Sequence, residues 1–221
     1  MSTAPNFNRL APLYRWMEYF SFGPWLWWCR SAFLPDLSAC RHALVLGDGD
    51  GRFTARLLRI NPDLRVLAVD ASPAMLSALE RRAAPHAARL RVECSDLRIW
   101  QPPADAPPYD LIVTHFFLDC LTTEEVEALA IKLRSAAAPG ALWLVSEFAI
   151  PSSAAGRAIA GAIVAALYRA FGWITGLAVR RLPQYETALQ SAGFTLEKRR
   201  DWLGGLLTSQ LFRASPDRPA D

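Results

Sequence analysis

Residues His42 to Arg52 constrain the fold of this chain more than any other stretch. His42-Ala43-Leu44-Val45-Leu46 is an unbroken apolar run that stops at Gly47-Asp48-Gly49-Asp50-Gly51. A short apolar run without alternation reads as a strand buried on both faces. Gly51 to Ile60 then has the spacing of a helix, with Phe53, Leu57, Leu58 and Ile60 on or near one face. A strand that feeds a glycine-rich turn and then a helix opens a parallel α/β unit. In such units the loops at the carboxyl ends of the strands face the ligand.

The same alternation continues downstream. Arg65 to Val69 reads as a second buried strand ending in Asp70, and Ser72-Pro73 opens a helix with Ser as N-cap and Pro at the first helical position. Leu90 to Cys94, Tyr109 to Thr114 and Ala141 to Val145 read as three more strands. Thr122 or Thr123 caps a helix running to about Ala136, with Glu125 completing a capping box if Thr122 is the cap. A long helix from about Ala154 to Val179 and a shorter one over Pro183–Ala192, ending at Gly193, come next. Phe194–Arg200 and Leu206–Phe212 are two strands joined at Leu203-Gly204-Gly205, a hairpin that requires one antiparallel strand at the sheet edge. The expected fold is α/β, a doubly wound Rossmann-like sheet.

Residues 1–41 differ in kind. Phe7, Leu10, Tyr14, Met17 and Phe20 recur at helical spacing, and Trp16, Trp25, Trp27 and Trp28 crowd one short stretch. Two short helices broken at Phe22-Gly23-Pro24 are expected. They either pack as ordinary core or form a lid over a cleft. The division expected is therefore a helical lid, 1–41, and a ligand-binding body, 42–221.

With 221 residues, 52% of them hydrophobic, the chain can bury a sizeable core, which excludes a disordered chain. A net charge of +3 gives no support to nucleic-acid binding. Cys29, Cys40, Cys94 and Cys120 have neither metal-ligand nor disulfide-framework spacing, so no metal is expected. The apolar stretch Ala158–Tyr168 is closed by Arg157 and Arg169 and is too short to span a bilayer, so a cytoplasmic location is expected. The small residues Ala158, Gly161, Ala162, Ala165 and Ala166 suit close packing on the sheet. A dimer contact or membrane-surface docking through Arg157, Arg169, Arg180 and Arg181 is the alternative, and the oligomeric state stays open.

The chemistry-bearing residues stand at consecutive strand ends. Gly47 and Gly49 let a ligand approach the backbone, and Asp70 is placed to accept two ribose hydroxyls. Asp96 follows the third strand, where a carboxylate can accept from an adenine amino group; the plainer view makes it a turn residue. The nicotinamide fingerprint is not met, because Arg52 stands where its last glycine belongs.

At these residues the sequence resembles the class I S-adenosylmethionine-dependent methyltransferases. The matching segments are LVLGDGDGRFTARLL, VLAVDASPAML, CSDLR, YDLIVTHFFLDCL and APGALWLVSEF, with Ala192-Gly193-Phe194 and the closing hairpin. The resemblance spans roughly residues 42–213. It implies a seven-stranded sheet whose last strand is antiparallel, and S-adenosyl-L-methionine as cofactor. It further implies that Gly47 and Gly49 face the methionine part and Asp70 holds the ribose. Ala71 and Met75 would flank adenine, and Asp96 and Leu97 would read its edge. Gly51 and Thr114 complete the candidate cofactor set. Many members carry an acid where Val45 stands here, and Asp48 is the candidate to replace that charge. Phe7 to Tyr14, then Ser21-Phe22-Gly23 and Trp28, resemble the opening of the ubiquinone/menaquinone C-methyltransferases, with Arg15 where those carry Asp.

A sulfonium methyl donor is already activated, so the protein must chiefly align the acceptor and exclude water. His115, which directly follows the fourth strand, is the first candidate for a base or substrate contact; a structurally fixed imidazole is the alternative. Glu147 ends the fifth strand and could hold the acceptor, Tyr14 could close over the methionine end, and Asp119 reads as a loop start. Phe116, Phe117 and the Trp-rich lid point to a small-molecule acceptor that is apolar or aromatic. The rival functions are a non-catalytic cofactor-binding or regulatory protein and a nicotinamide-dependent reductase.

Overall fold

The structure is a computed structural model and describes residues 24–151, 161 and 182–216. Seven strands form one sheet in the order β3-β2-β1-β4-β5-β7-β6. They are β1 (His42–Leu46), β2 (Arg65–Asp70), β3 (Leu90–Cys94), β4 (Tyr109–His115), β5 (Ala137–Phe148), β6 (Phe194–Trp202) and β7 (Leu207–Ala214). Strands β1 to β5 pair in parallel, and β7 is antiparallel to both β5 and β6. The expected antiparallel edge hairpin is present, with a turn at Leu203–Gly205.

The described helices are α1 (Trp25–Arg30), α2 (Arg52–Ile60), α3 (Pro73–Arg82), α4 (Thr123–Ala136) and α5 (Tyr185–Ser191). Their starts follow local rules. Ser72 accepts from the Met75 N–H at the head of α3, and Thr122 and Glu125 form a reciprocal capping box at the head of α4. Pro24 stands at the N-cap of α1, so the second of the two expected N-terminal helices begins where the chain break was read. The first of them, with Tyr14, and the long helix over Ala154–Val179 lie outside the described residues.

Alternate residues of the central strands feed two cores. Leu44, Leu46, Ile112, Trp143 and Val145 pack with Val126, Leu129 and Leu133 of α4 and Leu189 of α5. Ala43, Val45, Leu111, Val113 and Leu144 pack on the other face with Phe53, Leu57 and Leu58 of α2. Ile60, grouped with that apolar face by its spacing, is instead 38% exposed. A third, smaller cluster joins Leu26 and Cys29 of α1 to Leu207 of β7, with Trp25, Phe116, Phe148 and Trp202 against it. The Cys29 thiol donates to the Thr208 carbonyl at 3.3 Å, and the Ser209 hydroxyl donates to the Cys29 carbonyl. Burial pushes that thiol up to about 11, so it stays protonated and serves as a tie between helix and strand.

The register sets the site. Leu46 pairs with Val69 on one side and Thr114 on the other, so Gly47, Asp70 and His115 leave the sheet at one level. Asp70 pairs with Cys94, and His115 with Ser146. Glu147 pairs with Thr208, which brings the start of the antiparallel β7 to the same edge.

Candidate active site

Three glycines shape the first loop. Gly47, Gly49 and Gly51 have φ of +68°, +61° and +76°, left-handed values that side chains disfavour. A Cβ on Gly47 would lie 2.7 Å from the Phe117 ring, and one on Gly51 would lie 2.5 Å from Leu79 Cγ. Both positions therefore need glycine for closeness as well as for backbone hand. Asp48 turns inward, where Oδ2 accepts from the Thr54 N–H at 2.9 Å and the Thr54 hydroxyl at 2.7 Å. It thus satisfies an orphan donor in the first turn of α2. Burial raises its pKa to about 6, against the lowering pull of Thr54 and of the Arg30 charge. Asp50, at the loop's tip, is gripped from α3: Arg82 Nη2 meets its carboxylate at 2.9 Å and Arg82 Nε its carbonyl at 3.0 Å.

The second and third loops complete the cofactor side. Asp70 Oδ1 accepts from the Ser72 N–H at 2.8 Å. Burial raises its pKa to about 6, while the Ser72 and Gly49 N–H groups pull the other way, which couples the carboxyl to the glycine loop. Ala71 is exposed and Met75 is buried beside it in sequence, at the head of α3. Asp96 Oδ1 accepts from the Arg98 N–H at 3.0 Å, so it does act as a turn residue. Arg98 also reaches Glu125 at 2.8 Å, tying this loop to the α4 cap. Leu97 is buried in the core beside Trp100. Thr114 has no exposed surface; its hydroxyl accepts from Trp143 Nε1 at 3.0 Å inside the core.

Beyond β4 and β5 the character changes. His115 is 3% exposed, neither ring nitrogen has a hydrogen-bond partner, and the ring meets Phe53 edge-on at 4.4 Å between centroids. Burial, aided by the Arg30 charge, holds its pKa well below 6.5, so it is a neutral imidazole near pH 7. Glu147 Oε1 accepts from the Phe117 and Leu118 N–H groups at 3.1 and 2.8 Å, while Oε2 is buried without a partner. Burial drives its pKa well above the carboxylate range, and the Asp119 charge adds to this. Asp119 itself is raised to about 6 by burial. Phe116 lies against Phe148 at 5.2 Å, with the Arg30 guanidinium 5.2 Å from its ring centre.

The structure thus gathers Gly47, Gly49, Asp70, His115 and Glu147 at one sheet edge, with Asp96 just beyond. Tyr14 lies outside the described residues. Arg30, Arg82 and Arg98 were not singled out for the site from sequence. Arg30 carried one signal, as a lone charge closing a Trp-rich run. Arg82 is the second of an Arg81-Arg82 pair ending a helix and Arg98 stands in a loop, and neither carried one.

This strand order, with a glycine turn after β1 and an acid ending β2, defines a Rossmann-like fold built to hold a nucleoside across the carboxyl edge of the sheet. Residues 44–143 match the family described as a methyltransferase domain. A malonyl-[acyl-carrier protein] O-methyltransferase from Paenibacillus sp. (strain JDR-2) is 36% identical over 73 residues, which cover 33% of this chain and 26% of that protein. Among solved structures, the apo S-adenosylmethionine-dependent methyltransferase SibL has a TM-score of 0.67 at 23% identity, covering 97% of this chain and 63% of that one. The N-methyltransferase NodS from Bradyrhizobium japonicum WM9, solved with S-adenosyl-L-homocysteine, has a TM-score of 0.63 at 19% identity, with 94% and 98% covered. A putative O-methyltransferase from Nostoc punctiforme PCC 73102 reaches 0.70 at 16% identity, with 96% and 62% covered. Residues 44–143 are thus similar to a methyltransferase domain, and the sheet has the fold of the S-adenosylmethionine-dependent methyltransferases. The matched segment is only about a quarter of the curated relative's length. Among the described residues, no helix is long and apolar enough to cross a membrane.

Proposed function

We propose that this protein transfers the methyl group of S-adenosylmethionine to a small apolar or aromatic acceptor in the cytoplasm. The observation that carries this reading is the common level of Gly47, Asp70 and His115, with the left-handed glycine loop beside the buried Asp70 carboxyl. When bound, the cofactor supplies a methyl group activated on a sulfonium sulfur. Asp70 accepts the ribose hydroxyls, and the Gly47–Gly51 turn admits the methionine part. Met75 and Ala71 flank adenine, and Asp96 with Leu97 meets its edge.

On the acceptor side, the rings of Phe116, Phe148 and Trp25 exclude water. Neutral His115 has a free nitrogen lone pair, so it can take the proton of an acceptor O–H or N–H as the methyl group arrives. Residues 1–41, with Tyr14, serve as the lid, and residues 42–221 as the body that binds cofactor. The test is thermal melting with S-adenosylhomocysteine and with NADH, followed by methyl turnover over a panel of acceptors. Stabilisation by the first ligand and turnover of an aromatic acceptor are expected. Stabilisation by NADH alone would overturn the reading.

A further inference from the structure

The loop leaving β4 carries two aromatic rings that part in opposite directions. Phe116 has φ of +51°, a left-handed conformation that a bulky L-residue adopts only when its surroundings impose it. Its N–H donates to the Ser146 carbonyl at 2.7 Å. Its ring joins Trp25, Phe148 and Trp202 on the α1 side. The next residue, Phe117, points the other way and rests on Gly47, so closely that a Cβ there would collide with its ring.

What imposes this bend is visible. The two N–H groups following the strained residue, those of Phe117 and Leu118, both donate to Glu147 Oε1. Glu147 is 1% exposed, in a strand whose partner β7 arrives antiparallel, so its carboxyl has no route to solvent. Its second oxygen and the Tyr185 hydroxyl are buried without partners, and the further pull on the carboxyl comes from the Asp119 N–H of the same loop.

We propose that Glu147 is a positioning residue whose reach, not its acidity, holds the Phe116–Leu118 loop and so sets Phe116 as the acceptor wall and Phe117 as the wall on the glycine loop. This rests on the methyltransferase reading, and it separates Glu147 from the proton-handling role that a carboxyl at a strand end suggests. Displacing Glu147 Oε1 frees two donors at once, the bend at Phe116 relaxes, and both walls move together.

Two substitutions in the full chain separate reach from acidity. Glu147→Gln keeps the length and an accepting Oε1 but removes the acid. Glu147→Asp keeps the acid but withdraws it by one methylene. Binding of S-adenosylhomocysteine is measured by titration calorimetry, with amide exchange at Phe117 and Leu118 in the unsubstituted protein as a second measurement. The Gln variant should bind within about threefold of the parent and the Asp variant about tenfold or more weaker, since withdrawing the acceptor leaves two buried N–H donors unsatisfied. The Phe117 and Leu118 amides should exchange slowly. The opposite order, equal behaviour of the two variants, or fast exchange at both amides would each overturn the proposal. Failure of the parent to bind S-adenosylhomocysteine would instead overturn the methyltransferase reading on which it rests.

Discussion

The two halves of the site are built by opposite means. On the cofactor half, after β1, β2 and β3, the carboxylates of Asp48, Asp50, Asp70 and Asp96 all bond to groups within a few residues or on the neighbouring helix. That half is satisfied as it stands, and its loops are shaped in advance. On the acceptor half, after β4 and β5, the polar groups are buried and incompletely paired: both nitrogens of His115, the Ser146 hydroxyl and one oxygen of Glu147 have no partner. Buried polar atoms without partners cost roughly 1–3 kcal/mol each, so this half carries a cost that the first half does not. The difference teaches that a set of locally satisfied loops and a buried, under-paired set can share one sheet edge.

The largest expected effect removes one half only. Deleting residues 1–28 should leave a folded body that binds S-adenosylhomocysteine more weakly yet has lost methyl transfer, because the acceptor side has lost its roof. Full turnover by the truncated protein would refute the lid, and loss of folding would make the segment ordinary core. The converse strike is Asp70→Ala. Bonds to a charged group are worth roughly 1.5–3 kcal/mol, so cofactor affinity should fall about ten- to a hundredfold while the melt persists. Unchanged affinity by calorimetry would show that Asp70 is not the ribose ligand.

Acid should act on His115 and on Asp70 with opposite sign. His115 has a folded pKa well below its unfolded 6.5, so the unfolded chain binds more protons there and stability falls as pH drops through 6.5. Asp70 is raised from 3.8 to about 6, so its contribution is full below 3.8 and is lost as pH rises through 6. Replacing His115 by Leu should therefore relieve the decline in melting temperature between pH 7 and pH 5. Replacing Asp70 by Asn should raise stability at pH 8 relative to pH 5. Parallel pH profiles for parent and variants would dissolve the contrast. The smallest effect belongs to neither half. Thr122→Ala breaks the α4 capping box and should cost about 1 kcal/mol in denaturant unfolding, with cofactor affinity unmoved. A change in affinity there would mean that the Arg98–Glu125 link carries more of the adenine loop than its exposed geometry indicates.

The turns and caps after β1, after β2 and before α4 were legible because their rules are local. Gly47 to Gly51 mark the left-handed turn, Asp70 the end of β2 and Ser72-Pro73 the head of α3 within a few residues, as the Thr122–Glu125 cap marks α4. Where contacts are remote, the sequence is silent. Nothing near Glu147 points to Phe117 and Leu118, some thirty positions earlier. Strand β5 begins at Ala137, earlier than Ala141, because Tyr109 pairs with Ala137 across a register shift despite the intervening Pro139-Gly140. Ile60 sits past the turn of α2 that faces the sheet, and apolarity alone did not reveal this. The bend at Phe116 has no local mark, since glycine would be the usual residue there.

The tie between Cys29 and β7 has a consequence for the order in which the molecule assembles. The bonded residues, Cys29 and Thr208, are 179 positions apart. Strands β1 to β4 all lie between them in the chain and need no segment beyond His115 to pair. During synthesis strands β1 to β4 can therefore meet while α1 is still waiting for β7 to emerge, and closing so large a loop comes last. In pulse-labelled refolding, protection at Leu46 should precede protection at Cys29, which should arrive together with Ser209. The chain would then have its glycine loop and Asp70 in place before the corner between α1 and β7 closes.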